Sequence, residues 1–148
     1  MKIRIEERLG QSETEILILC EKQNEETERI KTHLGMLEKT LLGKKQDRQV
    51  VLRPKDVLYF ESVDDKVFAT TPNDLIELKE KLYELENLLA GSTFLRVNKT
   101  TILDTAKIIS FRALINGKML ATLFNREQIE ITRTYVAELK QALGGLHR

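Results

Sequence analysis

Several residue types are scarce in this chain of 148 residues, and each scarcity excludes a class of protein. There is one cysteine, Cys20, which excludes an internal disulfide framework and a paired-cysteine motif. Tryptophan is absent and aromatic residues make up only 5%, so the core must be built from Leu, Ile and Val. No apolar run approaches the roughly 20 residues of a transmembrane helix, and the N-terminus lacks a secretory signal. These features predict a cytoplasmic protein.

The sequence offers little from which a catalytic or metal site could be built. A catalytic histidine needs a pocket and an orienting partner, whereas His33 lies in a polar-faced helix and His147 next to the C-terminus. No P-loop and no Gly-rich dinucleotide motif is present. Asp64 and Asp65 suit a turn better than a metal site. We therefore expect no enzymatic activity, no catalytic or metal-binding residues and no cofactor.

Charge is distributed unevenly, although the net charge of the chain is only +1. Residues 1–45 are neutral, and residues 46–93 carry a net charge of −4. Residues 94–148 have nine Lys and Arg against four Asp and Glu, a net charge of +5. A basic C-terminal third suits a polyanion, because each cation placed on a phosphate releases a condensed counterion. An excess of this size also lies within the scatter of ordinary domains, so charge alone leaves nucleic-acid binding open.

The first 45 residues predict a small β-β-α segment. Residues 2–6 alternate polar and apolar side chains and residues 15–20 are mostly apolar, which favours two strands. Asn24 is a good N-cap for a helix that would continue to Leu41 and end at Gly43. The segment has only a narrow apolar stripe, so we expect it to pack on the rest of the chain or on a second copy.

Residues 43–48 form a polar break, the best candidate for a domain boundary. We place a small N-terminal segment at residues 1–45, with dimerisation or partner docking as its function. The main domain occupies residues 46–148.

Short strands separated by turns dominate the main domain. Asn116-Gly117 is the strongest hairpin signal, and strands are predicted at residues 49–52, 57–63, 66–71, 94–97, 102–103, 107–115, 118–124 and 128–131. A leucine-rich helix is predicted from Leu75 to Leu89, with Asp74 and Glu77 as its capping box. A short helix over residues 132–143 ends the pattern. The predicted fold class is α+β, mainly β.

Polar residues on three predicted turns or helix starts could read base edges. They are Lys66, the run Asn98, Lys99 and Thr100, and Arg133. Asparagine can make two hydrogen bonds to adenine, and Lys or Arg can address guanine. Each site taken alone is better explained as a solvated surface residue.

The order of these elements resembles the LytTR DNA-binding family over roughly residues 48–144. The resemblance begins with the strand Asp56-Val-Leu-Tyr-Phe-Glu-Ser62 and continues through the leucine-rich helix. Its most specific part is Phe94-Leu-Arg-Val-Asn-Lys-Thr-Thr-Ile-Leu-Asp104 followed by Ile108, where the family has Phe-x-Arg-x-His-Arg/Asn-Ser-x-x-Val-Asn and then Ile. It ends with Ile131-Thr-Arg-Thr-Tyr135, similar to a Ser-Arg-x-Tyr element.

The sequence departs from the family pattern at several positions. Asn98 replaces the usual His, Thr100 and Thr132 replace Ser, and Leu103-Asp104 replaces Val-Asn. Asn98 still suits a base contact, although the preferred base can differ. Asp104 adds a negative charge, so we assign it a structural role.

The resemblance implies an elongated antiparallel β scaffold with one amphipathic helix and a short C-terminal helix, whose loops enter successive major grooves of duplex DNA. It assigns base reading to Lys66, Lys99 and Arg133, with Asn98 and Thr100 flanking the second. Weaker candidates for phosphate contact, chosen on charge and turn position, are Arg96, Lys107, Arg112, Lys118, Asn125 and Arg126.

The resemblance also implies partners. Most relatives carry a receiver domain, for which 45 residues are too few, so we expect a stand-alone transcription regulator. It would bind promoter DNA at direct repeats, form a homodimer, and be restrained by a small membrane protein. Two alternatives are kept: a protein-interaction module on the same scaffold without DNA binding, and RNA binding.

Overall fold

Strands dominate the chain from residue 41 onward in a computed structural model, which describes residues 1–144. The strands are β1 (Leu41–Lys45), β2 (Arg48–Leu52), β3 (Tyr59–Val63), β4 (Lys66–Thr70), β5 (Leu75–Leu78), β6 (Phe94–Asn98), β7 (Thr101–Asp104), β8 (Ile108–Ala113), β9 (Met119–Leu123) and β10 (Gln128–Ile131). The helices are α1 (Glu25–Met36), α2 (Leu82–Leu88) and α3 (Arg133–Ala142). The prediction of an α+β, mainly β fold is confirmed.

Two antiparallel sheets are formed. The larger sheet has seven strands in the order β2-β1-β5-β4-β3-β7-β6, and the smaller one has the order β10-β9-β8. Their hairpins turn where the sequence predicts: Asp64 and Asp65 have φ of 51° and 66°, and Asn116 and Gly117 have φ of 63° and 76°. Positive φ at both central residues matches the twist of the flanking strands, so these turns fix the strand register.

The larger sheet separates two hydrophobic cores. On one face Phe60 and Ile102 pack with the leucines of α2, led by Leu85. On the other face Leu58 and Leu103 pack with the smaller sheet and α3. Side chains of successive strand residues point to opposite faces, which is why Tyr59 and Phe60 of β3, and Ile102 and Leu103 of β7, serve different cores. All four residues of β7 are buried between the two layers.

Asp104 at the end of β7 has the structural role that we expected. Its carboxylate is buried and accepts hydrogen bonds from Lys107 Nζ at 2.7 Å, Thr93 Oγ1 at 2.6 Å and the Ala106 backbone N–H at 3.0 Å. A buried charge needs this degree of pairing, because an unpaired ion is costly to remove from water.

Residues 1–24 carry no regular secondary structure, so a single chain does not form the strands predicted at residues 2–6 and 15–20. The alternation of side chains there is real, but no strand among residues 25–144 pairs with these residues. A strand needs a neighbour for its backbone groups, and sequence periodicity does not supply one.

Helix α1 begins as predicted but ends earlier. Asn24 Oδ1 accepts the Thr27 backbone N–H at 3.0 Å, and Thr27 Oγ1 accepts that of Asn24 at 2.9 Å, so the N-cap is confirmed. The predicted continuation to Leu41 and termination at Gly43 are wrong, since both belong to β1. A Cβ at Gly43 would lie 2.2 Å from Ile76 Cγ2, so the glycine permits close strand approach. Because β1 pairs with β2 and β5, the sheet crosses the polar break at which we placed the domain boundary.

The predicted helix from Leu75 to Leu89 divides into β5 and α2. Leu75–Leu78 pairs with both β1 and β4, and this two-sided pairing outweighs the helical spacing of the leucines. The capping box at Asp74 is therefore wrong, and that residue is ion-paired with Lys45. The helix starts after Lys81, whose backbone N–H donates to Glu84 Oε1 at 2.9 Å.

Within residues 1–144, no helix is both long and apolar enough to cross a membrane. No group of three or more His, Cys, Asp or Glu side chains in that range is placed to hold a metal ion.

A pH-dependent contact links the two sheets. The Tyr59 hydroxyl donates to Glu127 Oε2 at 2.6 Å, and burial, followed by this hydrogen bond, raises the pKa of Tyr59 from 10.0 to about 12. The folded state therefore favours the neutral hydroxyl, which contributes its full stability below pH 10. This contribution is lost as the pH rises towards about 12. Ultraviolet absorbance titration should show a tyrosine ionising near pH 12 that is absent from Tyr59→Phe. Ionisation of Tyr59 near pH 10 in the folded chain would contradict this prediction.

Candidate nucleic-acid interface

Two turns meet at one end of the larger sheet. Strands β3 and β7 are antiparallel neighbours, with Glu61 opposite Thr101, so the β3–β4 turn lies beside the β6–β7 turn. The Ser62 backbone N–H donates to the Thr100 carbonyl oxygen at 2.8 Å and links them. Lys66 and Lys99 are therefore exposed at the same end of the sheet.

The start of α3 lies next to the β6–β7 turn. The Thr132 backbone N–H donates to the Val97 carbonyl oxygen at 3.0 Å, and Asn98 Nδ2 donates to the Glu130 carbonyl oxygen at 2.9 Å. The two elements share an open cleft, which is lined by Asn98, Lys99, Thr100, Thr132, Thr134 and Tyr135. The exposed side chain of Arg133 begins at this junction.

The β8–β9 turn supports Arg133. A Cβ built on Gly117 would lie 2.8 Å from Arg133 Cδ, so the aliphatic stem of the arginine crosses the glycine. Gly117 also has φ of +76°, which disfavours a side chain there. Lys118 Nζ lies 3.3 Å from Glu130 Oε1 in the same region. Lys66, Lys99 and Arg133 are thus connected by a continuous series of contacts along one edge of the protein, which we call the tip edge.

Arg96 holds the β6–β7 turn from behind. Its Nε donates to the Asn98 carbonyl oxygen at 3.0 Å and one terminal nitrogen to the Lys99 carbonyl oxygen at 2.8 Å. The other terminal nitrogen donates to Glu86 Oε1 of α2 at 2.9 Å. The guanidinium therefore fixes the backbone that carries Lys99. The sequence suggests a phosphate contact for Arg96 and does not reveal Glu86 as its partner, because an ion pair between a helix and a strand leaves no signal in local spacing.

The Asn98 side chain is also engaged within the protein. Its Nδ2 reaches Glu130, and its Oδ1 accepts from the Thr100 backbone N–H at 2.9 Å and from Thr100 Oγ1 at 3.1 Å. Asn98 thus joins the turn to β10, while Lys99 remains exposed beside it.

Three weaker candidates lie at the opposite end of the smaller sheet. Lys107 Nζ donates to Asp104 Oδ2 at 2.7 Å, the Lys55 carbonyl oxygen at 3.0 Å and that of Val57 at 3.4 Å. Asn125 closes the β9–β10 turn, since its Oδ1 accepts from the Glu127 backbone N–H at 3.1 Å. Arg126 is exposed in that turn with φ of 77°. The structure does not bring these three residues to the tip edge.

Two further candidates lie on the tip-edge half of the β8–β9 hairpin. Arg112 is exposed near the end of β8, on a strand whose outer edge is unpaired within residues 1–144. Lys118 precedes β9 and forms an ion pair with Glu130.

The fold and the tip edge define a mainly antiparallel β protein that presents cations from separate turns along one side. The profile of the LytTr DNA-binding domain matches residues 47–144, and the chain belongs to this family.

Several relatives and a solved structure are similar to this chain. An uncharacterized HTH-type transcriptional regulator of Staphylococcus aureus strain NCTC 8325 is 28% identical over 145 residues, which cover 97% of this chain and 98% of that protein. The regulator so named in strain MRSA252 is 27% identical with the same coverage. A LytTr DNA-binding domain from Bacillus cereus superposes with a TM-score of 0.68 at 21% identity, covering 72% of this chain and 98% of that one. In residues 1–144 here, strands separate each helix from the next, so no two form a helix-turn-helix pair.

Proposed function

We propose that this chain regulates transcription by binding promoter DNA with its tip edge. The supporting observation is the convergence of Lys66, Lys99 and Arg133, which come from three distant parts of the sequence onto connected turns. Successive major grooves of B-DNA are about 34 Å apart, so a reader that lies along one face of the duplex needs contact points on different turns of the same edge. We assign base contacts to these three cations.

The remaining candidates divide by position. Thr100, Arg112 and Lys118 lie near the tip edge, and we assign them to phosphate contact. Four residues make internal bonds or lie away from that edge, and we assign them no DNA contact: Arg96, Lys107, Asn125 and Arg126. Asn98 holds the turn that presents Lys99. DNA binding of this kind requires no catalytic group, so we infer no enzymatic role, and we infer a cytoplasmic location from the promoter as its target.

Two partners implied by the family resemblance extend this proposal. We infer that the regulator acts on direct repeats in its promoter as a homodimer and that a small membrane protein restrains it. Inserting about 5 base pairs between the repeats rotates one of them by half a helical turn around the duplex. This altered DNA should bind one copy of the protein but should no longer bind both copies as a dimer.

Fluorescence anisotropy with the chain's own promoter fragment tests the proposed function. The affinity for the promoter fragment should exceed the affinity for a shuffled fragment at the same salt concentration. The logarithm of its association constant should fall linearly with the logarithm of salt concentration, by about 0.9 per phosphate contacted. Equal binding to both fragments, or none to either, would instead favour the protein-interaction alternative. Stronger binding to single-stranded RNA of the same sequence would favour RNA recognition.

Replacing Asn98 by alanine tests its assigned positioning role. The loss of bonds to Glu130 and Thr100 should weaken the promoter complex by about 1 kcal/mol, a factor of about five. In the free protein, hydrogen exchange at the Thr100 amide should become faster, because Asn98 Oδ1 no longer accepts from it. A residue that only reads a base would leave that exchange unchanged.

Asn125→Ala is the matched control, since Asn125 closes a turn in the same manner at the opposite end. It should speed exchange at the Glu127 amide while leaving promoter affinity unchanged. Equal loss of DNA binding in both variants would contradict the assignment of Asn98 to the tip edge.

A further inference from the structure

The N-terminal segment exposes an unusual amount of apolar surface. Seven large apolar side chains in residues 1–20 are exposed: Met1, Ile3, Ile5, Leu9, Ile16, Leu17 and Leu19. Ile3 and Ile5 are 85% and 88% exposed, although an alternating pattern of this kind is typical of a strand with one buried face. So many exposed apolar side chains within one short segment indicate an association surface, since a monomeric protein rarely leaves a large apolar surface uncovered.

The number of candidate strands explains why this segment has no regular secondary structure in a single chain. Residues 2–6 and 15–20 supply two strands, and an isolated pair of strands is marginal in water. Three or more strands with a shared apolar face are needed for stability, and two copies together supply four. A second copy therefore provides what a single chain lacks.

Residues 2–6 are complementary to themselves. When two copies of this run are placed antiparallel about Arg4, Lys2 lies opposite Glu6 of the other copy and Ile3 lies opposite Ile5. The two Arg4 side chains face each other on the polar face, and each has Glu6 of the other copy as a diagonal neighbour that offsets this like-charge contact. Both the ion pairs and the apolar pairs then occur twice, as a two-fold axis requires. Opposite charges and β-branched pairs directly across an antiparallel ladder are stabilising.

We propose that residues 2–6 pair antiparallel with the same residues of a second copy, with residues 15–20 as flanking strands, and that this intermolecular sheet makes the chain a homodimer. This inference rests on the proposed function only because it supplies the dimer that the function uses. It narrows the association segment from residues 1–45 to residues 1–20. Helix α1 then connects it to the DNA-binding sheet. The alignments with the Staphylococcus aureus regulators cover 145 residues, so those proteins have the length to carry the same segment.

Sedimentation equilibrium of the full chain tests this pairing. The unmodified protein should be a dimer at about 100 µM, and Ile3→Asp with Ile5→Asp should weaken association at least about a hundredfold, because four carboxylates would enter the apolar face. Ile115→Asp is the matched control, since that isoleucine is 82% exposed outside the segment, and it should leave association unchanged. A monomeric wild-type chain at this concentration overturns the proposal and leaves the surface to a different protein.

A charge exchange tests the register. Lys2→Glu or Glu6→Lys alone places like charges opposite each other at two positions and should weaken the dimer about tenfold. The double variant restores both ion pairs and should recover wild-type association. Failure of the double variant to recover overturns pairing about Arg4. Promoter binding is measured separately, so a monomer that still forms the salt-dependent complex rejects the dimer and keeps the proposed function.

Discussion

Replacing Arg133 by alanine should weaken binding to the promoter by about 1–3 kcal/mol, a factor of about 5 to 150. The same loss is expected for Lys99→Ala, because each side chain is exposed on the tip edge and is positioned by contacts that do not involve its own charge. Gly117 supports the stem of Arg133, and Arg96 fixes the carbonyl oxygen of Lys99. The free energy of unfolding should therefore remain within about 0.5 kcal/mol of the wild type in both variants.

The double variant has the largest expected effect on DNA binding. The two side chains come from different elements, so their losses should approximately add, and the double variant should retain little preference for the promoter. Anisotropy titrations with promoter variants should relax specificity at a different base pair for each residue. Arg126→Ala is the matched control, because it removes an exposed arginine at the opposite end of the smaller sheet and should leave the affinity unchanged. A larger loss of promoter affinity for Arg126→Ala than for Arg133→Ala would show that DNA binds at the opposite end of the protein and would contradict this proposal.

Lys107→Met should destabilise the fold by about 3–5 kcal/mol, since it leaves the buried Asp104 carboxylate without its counter-charge. The lysine also donates to the carbonyl oxygens of Lys55 and Val57, so its loss leaves three acceptors with one partner fewer. Urea denaturation should show a lower midpoint with an unchanged slope. If Lys107 instead contacts a phosphate, stability would change little and only the salt dependence of DNA binding would fall.

Two controls separate these outcomes. Lys118→Met removes a half-exposed lysine from an ion pair of 3.3 Å with Glu130, and it should change stability by no more than about 1 kcal/mol. Combining Lys107→Met with Asp104→Asn removes the unpaired charge and should recover part of the lost stability. A double variant as unstable as Lys107→Met alone would contradict the buried-pair explanation.

The sequence predicted most of the main domain because its signals are local. Every predicted strand from residue 49 to residue 131 is present, and the hairpin turns fall at Asp64-Asp65 and Asn116-Gly117. Such turns depend on the φ preferences of two residues, and strand alternation depends on a window of four to eight residues. The exposed positions of Lys66, Lys99 and Arg133 follow directly from these turns and from the start of α3.

Non-local pairing decided what the sequence could not. Leu75–Leu78 is compatible with a helix by spacing and becomes a strand because β1 and β4 lie on either side of it. Lys107 and Arg96 are indistinguishable in sequence from solvent-exposed cations. Only the folded chain brings Lys107 to Asp104, and Arg96 to Glu86 and the backbone of the β6–β7 turn.

By itself, then, the sequence determined the local features of this protein: where the hairpins of the main domain turn, where α1 and α3 begin, and which cations lie on turns. The tertiary structure alone decided which of those cations remain exposed, which of them hold the scaffold together, and that residues 1–24 pair with no strand among the described residues of one chain. The physical reason is that turn geometry and side-chain alternation are properties of neighbouring residues. Burial, ion pairing and strand pairing depend on groups that are distant along the chain.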